Sequence, residues 1–415
     1  MSAPAVPPPV AAPVVLIACL IALSAIGPMS IQIFLPAMPF IMKEFGVGVG
    51  LGQLTVTIAL VITGIATLFF GPLADRYGRK RIVQATLVLF AASSGVCALA
   101  QDIETLIAVR NAQALGASAG VVLARAVAAD VWGRGKAATI LSYLTMAMGL
   151  STMLTPSLGG VLCDLFGWRA PFAFCVALGI GLLILARAGI PPDQGPADTG
   201  ASGIMPVLKA GGRLFVSPIF GAFAVGSSLN VSTFFSFVTV APYLVVDGMG
   251  LSATDFGLWF MLMPGGFVTG SLISSRVGAR IGAARMSALG SGVAAAGATS
   301  LAILLSTQPL SMPILFLPAM AIGLGNGLSL PNAQAGALAV EPRISGTASG
   351  VVGFSQNFFA AVASQTVAYF FDGSTGVVMI AVLACAFGGL ACGLASVRLA
   401  AKTGTASPKS SSLPP

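Results

Sequence analysis

Mostly apolar stretches recur twelve times along this chain, at about 14–40, 52–74, 82–101, 105–128, 138–163 and 171–190, then at 216–246, 255–275, 286–306, 312–338, 346–370 and 376–397. Each is close to the roughly 20 residues that a helix needs to cross a hydrocarbon core. The pattern predicts an all-α membrane protein with twelve transmembrane helices in two pseudo-symmetric six-helix bundles. Composition agrees: 56% of the 415 residues are hydrophobic and 8% are charged. A soluble domain carries about a quarter charged residues, so a water-soluble enzyme is excluded.

The polar breaks divide the chain into a tail at 1–13, a first bundle at 14–190, a linker at 191–215, a second bundle at 216–398 and a tail at 399–415. The opening stretch is rich in Ala and Pro and lacks the positive charge of a signal peptide, so it reads as a disordered cytosolic tail. Sixteen of the twenty Lys and Arg fall on the side of the membrane that holds both termini, and two, Lys43 and Arg169, on the other. The remaining two, Arg110 and Arg125, sit inside the fourth run. Basic loops stay in the cytoplasm, so both termini are expected there. The net charge of +8 is spread between apolar runs and forms no dense stripe, which argues against nucleic acid as a partner.

The two halves echo each other. At an offset of 200, Arg76, Gly78 and Lys80 meet Arg276, Gly278 and Arg280. Such six-plus-six repetition is the ground plan of many secondary transporters, with a substrate site between the halves near mid-membrane. Enzyme chemistry has little to work with. There is no histidine, no Cys spacing suited to a metal or a disulfide framework, and no phosphate-binding G-x-x-x-x-G-K-[ST] motif. No metal or cofactor is expected. All twelve carboxylates lie at the ends of the runs or in loops.

Several motifs carry chemistry. The loop after the second run reads Gly71-Pro-Leu-Ala-Asp75-Arg76-Tyr-Gly78-Arg79-Lys80-Arg81, an acid among four basic residues. In the fourth run, Arg110, Gln113, Ala117, Gly120 and Ala124 share a helix face. A buried Arg is costly unless it faces a cavity or a partner. Arg110 is therefore expected to line a central cavity, the alternative being a fixed strut bonded to neighbouring carbonyls. The fifth run places Gly149, Pro156 and the Gly159-Gly160 pair in a stretch that favours bending and close packing. Gln32, Asn230, Phe234, Gln356 and Asn357 are further candidate cavity residues, since polar groups inside a span avoid lipid.

These motifs resemble those of the major facilitator superfamily. Gly71, Asp75, Arg76, Gly78 and Arg79 match its loop signature, and the resemblance implies that Asp75 and Arg79 belong to a latch between the halves. Otherwise the loop is a solvated orientation signal. The helix from Gly149 to Gly160 resembles the exporter-associated motif of the drug antiporters, with Thr155 where Gly is usual. Pro28 to Pro39, Ala124-Arg125-Ala126 with Asp130, Pro331-Asn332 and Gly346 to Gly350 are similar to the bicyclomycin/chloramphenicol-resistance branch. The resemblance spans about residues 14–398 and implies a monomeric drug:proton antiporter of a bacterial inner membrane. One departure stands out: Gln32 occupies the place where that branch usually has Asp. Proton relays in membranes are built from ionisable groups, so coupling would fall to Asp130 or Asp75, with Arg125 nearby, or else be absent. The alternative function is a facilitator or importer of a small anionic metabolite without proton coupling.

The orientation can be read directly. An export-dependent phosphatase fused at Lys402 should be inactive, and the same reporter fused at Gln308 should be active. The opposite pattern would invert the assignment.

Overall fold

Hydrocarbon offers no hydrogen bonds, so each span must satisfy its own backbone, and a helix does so within one segment. The computed structural model describes residues 13–192, 212, 214, 216–341 and 344–402, and among these residues there is no strand. The tail to residue 12, residues 193–211 of the linker and the tail from 403 lie outside the described residues.

Twelve long helices follow in order. They are α1 (Pro13–Gln32), α2 (Leu54–Tyr77), α3 (Arg79–Ala98), α4 (Ile103–Trp132), α5 (Thr139–Phe166) and α6 (Ala170–Gly189), then α7 (Pro218–Tyr243), α8 (Leu262–Ile281), α9 (Ala283–Thr307), α10 (Met312–Val340), α11 (Ser345–Phe370) and α12 (Gly376–Lys402). Short helices at Met38–Phe45, Val49–Gly52 and Ala253–Phe260 extend α1 and lead into α2 and α8. Eleven of the spans are long and apolar enough to cross a membrane on composition alone. The exception is α11, which carries Gln356, Asn357, Ser364 and Gln365. Its neighbours explain the polarity: it packs against α2 and α7 and sits between the bundles.

Helical backbone runs on from Ile103 to Phe166, yet α4 and α5 are separate spans. Gly120 faces Leu23 while Arg110 bonds Ser30, so α4 runs antiparallel to α1. Ser24 bonds the Leu144 carbonyl and Gly159 faces Ile33, so α5 runs parallel to α1. The chain therefore reverses between Trp132 and Thr139.

Small residues bring the helices together, as expected where lipid supplies no hydrophobic drive between them. Gly120 of α4 lies against the Leu23 carbonyl, and its counterpart Gly336 of α10 lies against the Phe223 ring. Outward-facing side chains are apolar: Ile184 is 63% exposed and Ile380 71%, as suits a surface solvated by lipid.

The repeat is real, but its register differs from the sequence reading by one helical turn. Gly78, at φ 95°, ends α2, and its counterpart is Gly282, at φ 89°, ending α8. Both have left-handed φ, which glycine adopts without steric cost. Gly278, matched by sequence, is still helical. The basic side chains of the two loops misled the alignment, whereas the turn glycine defines it.

A tight contact gives a test. A Cβ on Gly116 would sit 2.7 Å from the Thr86 carbonyl and 2.8 Å from the Phe90 nitrogen. Gly116→Ala should lower the thermal midpoint of the purified protein, since overpacking costs about 1–3 kcal/mol. Gly181→Ala, with nothing within 4 Å, should leave the midpoint unchanged.

Candidate functional site

The bundles meet along two seams, α2 against α11 and α5 against α8 with its leading helix. Both seams are tight at the end away from the basic loops, here the far end. On the first, Gln53 Nε2 donates to Ser364 Oγ at 2.6 Å, and Ser364 pairs with Thr239 of α7 at 2.8 Å. Thr57 donates to Gln365 Oε1 at 2.9 Å, and Gln365 Nε2 donates to the Gly50 carbonyl at 2.8 Å. On the second, Ser157 Oγ donates to the Gly257 carbonyl at 2.7 Å. Gly160 lies directly on Ala253 and Thr254, and Gly257 on Pro156 and Ser157, so backbone meets backbone across the seam.

Toward the basic end the first seam parts, while on the second a Cβ on Gly149 of α5 would still meet Val268 of α8 at 3.8 Å. A Cβ on Gly64 would meet Asn357 at 3.2 Å and Phe354 at 3.3 Å, and one on Gly350 would meet Leu68 at 2.8 Å. Beyond them, Gly71 on α2 and Gly346 on α11 face open space. The ion pairs described there lie within the first bundle. Arg79 pairs with Asp130 and, at 3.4 Å, with Asp75. Arg76 lies over the Tyr77 ring, 5.2 Å from its centroid. Thus the loop cluster is assembled, with Asp130 as its third member, and its ion pairs stay on one side of the seam. Arg125 does not join Asp130; its Nη2 reaches Met148 Sδ of α5 at 3.8 Å.

Arg110 takes the strut arrangement. It is 1% exposed, and its contacts all belong to the first bundle. Nη1 donates to the Ser30 carbonyl at 2.9 Å and to Gln113 Oε1, and the guanidinium lies 4.0 Å from the Phe34 ring centroid. Gln113 Nε2 passes the chain on to Ser94 Oγ at 2.6 Å, which donates to the Phe90 carbonyl. The second bundle has a matching knot. Asn326 of α10 donates to the Asn230 carbonyl of α7 at 3.1 Å, and Asn230 Nδ2 donates to Ser291 and Ser329, each at 2.9 Å. Arg110, Gln113 and Asn230 therefore knit bundle interiors in this conformation, while Arg110 Nε and Nη2 and Asn230 Oδ1 are left without a partner. A long polar side chain among apolar helices bonds the nearest carbonyl, and in both bundles that carbonyl belongs to the central helix.

The other expected wall residues divide. Phe234 packs on Phe235 and Phe260, with ring centroids 5.2 and 6.0 Å away, inside the second bundle. Gln32 is buried with Oε1 unpartnered. Asn357, beside Gln356 on α11, is brought to the other bundle at Gly64. In α5, Gly159 faces α1, whereas Gly149, Pro156 and Gly160 face α8 or its leading helix. Sequence reading missed Gln53, Thr57, Asp164, Ser364 and Gln365. Their signal was polar spacing: Gln53 and Thr57 are one turn apart, and Asn357, Ser364 and Gln365 share a face. Among the described residues, no three His, Cys, Asp or Glu side chains gather as metal ligands would.

Residues 20–364 match the Major Facilitator Superfamily. The chain belongs to that family. It is 26% identical over 353 residues to multidrug resistance protein D of Escherichia coli (strain K12), covering 84% of this chain and 86% of that protein. It is 29% identical over 330 residues to a chloramphenicol resistance protein of Pseudomonas aeruginosa, covering 78% and 76%. Its fold is similar to a crystal structure of the peptide transporter POT in complex with sulfate, at TM-score 0.75 and 15% identity over 94% of this chain and 95% of that one. The motifs that resembled a drug-resistance branch thus lie in a chain whose relatives carry drug-resistance names across most of their length.

For this superfamily member the strut has a distinguishing test. Gln113→Leu leaves Ser94 and Arg110 short of partners in a closed interior. The thermal midpoint should fall, by the equivalent of about 1–3 kcal/mol for a buried group left unsatisfied. Affinity for any transported compound should stay within about twofold, a change of roughly 0.4 kcal/mol. A loss of affinity with unchanged stability would return Gln113 to the cavity wall.

Proposed function

We propose that this protein is a secondary exporter of small amphiphilic compounds, neutral or anionic, working by alternating access and coupled to protons. The observation that carries the reading is that both seams are closed at the far end while α2 and α11 part toward the basic end. With the basic loops in the cytoplasm, this conformation receives a compound from the inside, and its release requires the far-end seams to open. The names of the drug-resistance relatives support export as the direction.

The charge inventory supports the substrate class. Every described carboxylate lies at or near a helix end, while Arg110 is buried in the first bundle about two turns in from the far end of α4. A monovalent cation about 10 Å from that guanidinium, at an effective dielectric of about 20, is disfavoured by about 1.7 kcal/mol. That is a little over a factor of ten in binding. Neutral dipolar and anionic compounds escape this penalty.

Coupling is assigned to the cluster at the basic end. Asp75 and Asp130 flank one guanidinium, Arg79, and protonation of either acid loosens its pairing at the mouth of the open side. In this reading the cluster is also the latch: when the basic end closes, Asp75 and Arg79 exchange their mutual pairing for contacts with the second bundle. The working unit is a monomer in a bacterial inner membrane, both termini in the cytoplasm.

The test is drug susceptibility in an efflux-deficient bacterium expressing the chain, with phenicols, bicyclomycin, sulfonamides and a lipophilic cation at two external pH values. Protection against the neutral or anionic drugs, with little against the cation, is expected. Asp130→Asn should flatten the pH dependence while the protein still reaches the membrane. No protection from a chain present in the membrane would favour uptake of an anionic metabolite instead.

A further inference from the structure

The two far-end seams are not equivalent. The hydrogen bonds across the α2–α11 seam join neutral groups: Gln53, Thr57, Ser364, Gln365 and the Gly50 carbonyl. The α5–α8 seam contains a carboxylate. Asp164 Oδ1 accepts from the Ala253 N–H at 3.2 Å, and Oδ2 accepts from the Thr254 N–H at 2.8 Å and from the Thr254 hydroxyl at 2.5 Å. The other carboxylates with described hydrogen bonds or ion pairs, such as Glu44, Asp75, Asp102 and Asp130, find their partners within their own bundle. Asp164 alone among them spends every bond on the opposite bundle.

Its partners are the first two residues of the Ala253–Phe260 helix, whose N–H groups have no acceptor within that helix. Ser252, the N-cap, already serves the third, accepting from the Asp255 N–H at 3.0 Å. The cap is therefore completed from outside. An anion at a helix N-terminus is also favoured by the aligned peptide dipoles, and bonds to an ionised acceptor are about twice as strong as neutral ones. The same helix face continues the contact inward, with Gly160 one turn below Asp164 and Ser157 just under one turn below that. Asp164 thus sits at the outermost point of a backbone-to-backbone seam. There a single group holds the greatest leverage over opening.

We infer that Asp164 is the clasp of the far-end gate, a positioning residue that sets how often the far end opens. Opening parts it from Ala253 and Thr254, so it governs the rate-setting population of the outward-facing state. The seam across α2 and α11, held by neutral bonds, yields more readily. This inference rests on the alternating-access reading and not on what is carried.

The experiment measures the opening itself. Spin labels are placed at Leu99, at the far end of α3, and at Gln308, at the far end of α9, in full-length chain whose native cysteines are replaced, reconstituted in lipid nanodiscs. The distance distribution then gives the ratio of opened to closed far ends without any substrate. Asp164→Asn and Thr254→Pro break the clasp from opposite sides. Proline is tolerated in the first turn of a helix, so the second variant removes an N–H and a hydroxyl while leaving the carboxylate intact. Each should raise the opened fraction relative to closed by about tenfold, within the usual range of couplings between sites. Asp164→Glu should restore most of the closed population. Parental distributions in both Asp164→Asn and Thr254→Pro would overturn the clasp. Absent drug protection by the parent would count against export alone.

Discussion

Where α5 meets the helix leading into α8, two backbones touch with no side chain between them, and most of what this molecule can do depends on that contact. Gly160 rests on Ala253 and Gly257 rests on Pro156, each so close that no Cβ could be accommodated. In lipid, apolar area offers little reason for helices to associate, because the tails are as apolar as leucine. Close backbone approach and hydrogen bonds must hold the bundles together, and neither changes gradually with distance. A seam of this kind is either made or broken. Two bundles joined by such seams behave as rigid bodies with a small number of arrangements rather than as a deformable whole.

Rigidity within each bundle has its own cause. Arg110 bonds the Ser30 carbonyl and Asn326 bonds the Asn230 carbonyl, so in each half the fourth helix is tied to the first by a polar side chain reaching a backbone acceptor. Breaking such a bond in a closed interior strands both groups, a larger cost than the bond's net contribution. The first half uses a charge and the second a neutral amide. Only the first therefore carries a buried positive charge.

The spans were legible in the sequence because crossing hydrocarbon allows few solutions; the run at 346–370 becomes α11, Ser345–Phe370, despite its polar residues. Direction was not legible. Arg110 and Gln113 share the face that the spacing assigned them, but periodicity fixes a face relative to its own helix and not which neighbour it meets. The repeat register failed for a related reason. Orientation requires basic residues somewhere in a loop and not at one position, so they drift, whereas the turn fixes Gly78 and Gly282 through φ. The seam partners Gln53, Ser364 and Gln365 lie more than 300 residues apart across the pair, and their polar spacing becomes meaningful once the two helices are seen together.

Gln32 then takes on a different meaning. The resemblance made it a gap in a proton path, an amide where an acid was due. In the structure it is a buried polar group of the first bundle, with Oε1 unpartnered. An acid here would sit two residues from Ser30, whose carbonyl Arg110 already binds. An ionised Asp buried there would need a charged or hydrogen-bonding partner, which the amide does not demand to the same degree. The amide leaves the strut intact. The first bundle keeps a buried positive charge, and the carboxylates Asp75 and Asp130 at one end and Asp164 at the other stand near the seams between the bundles.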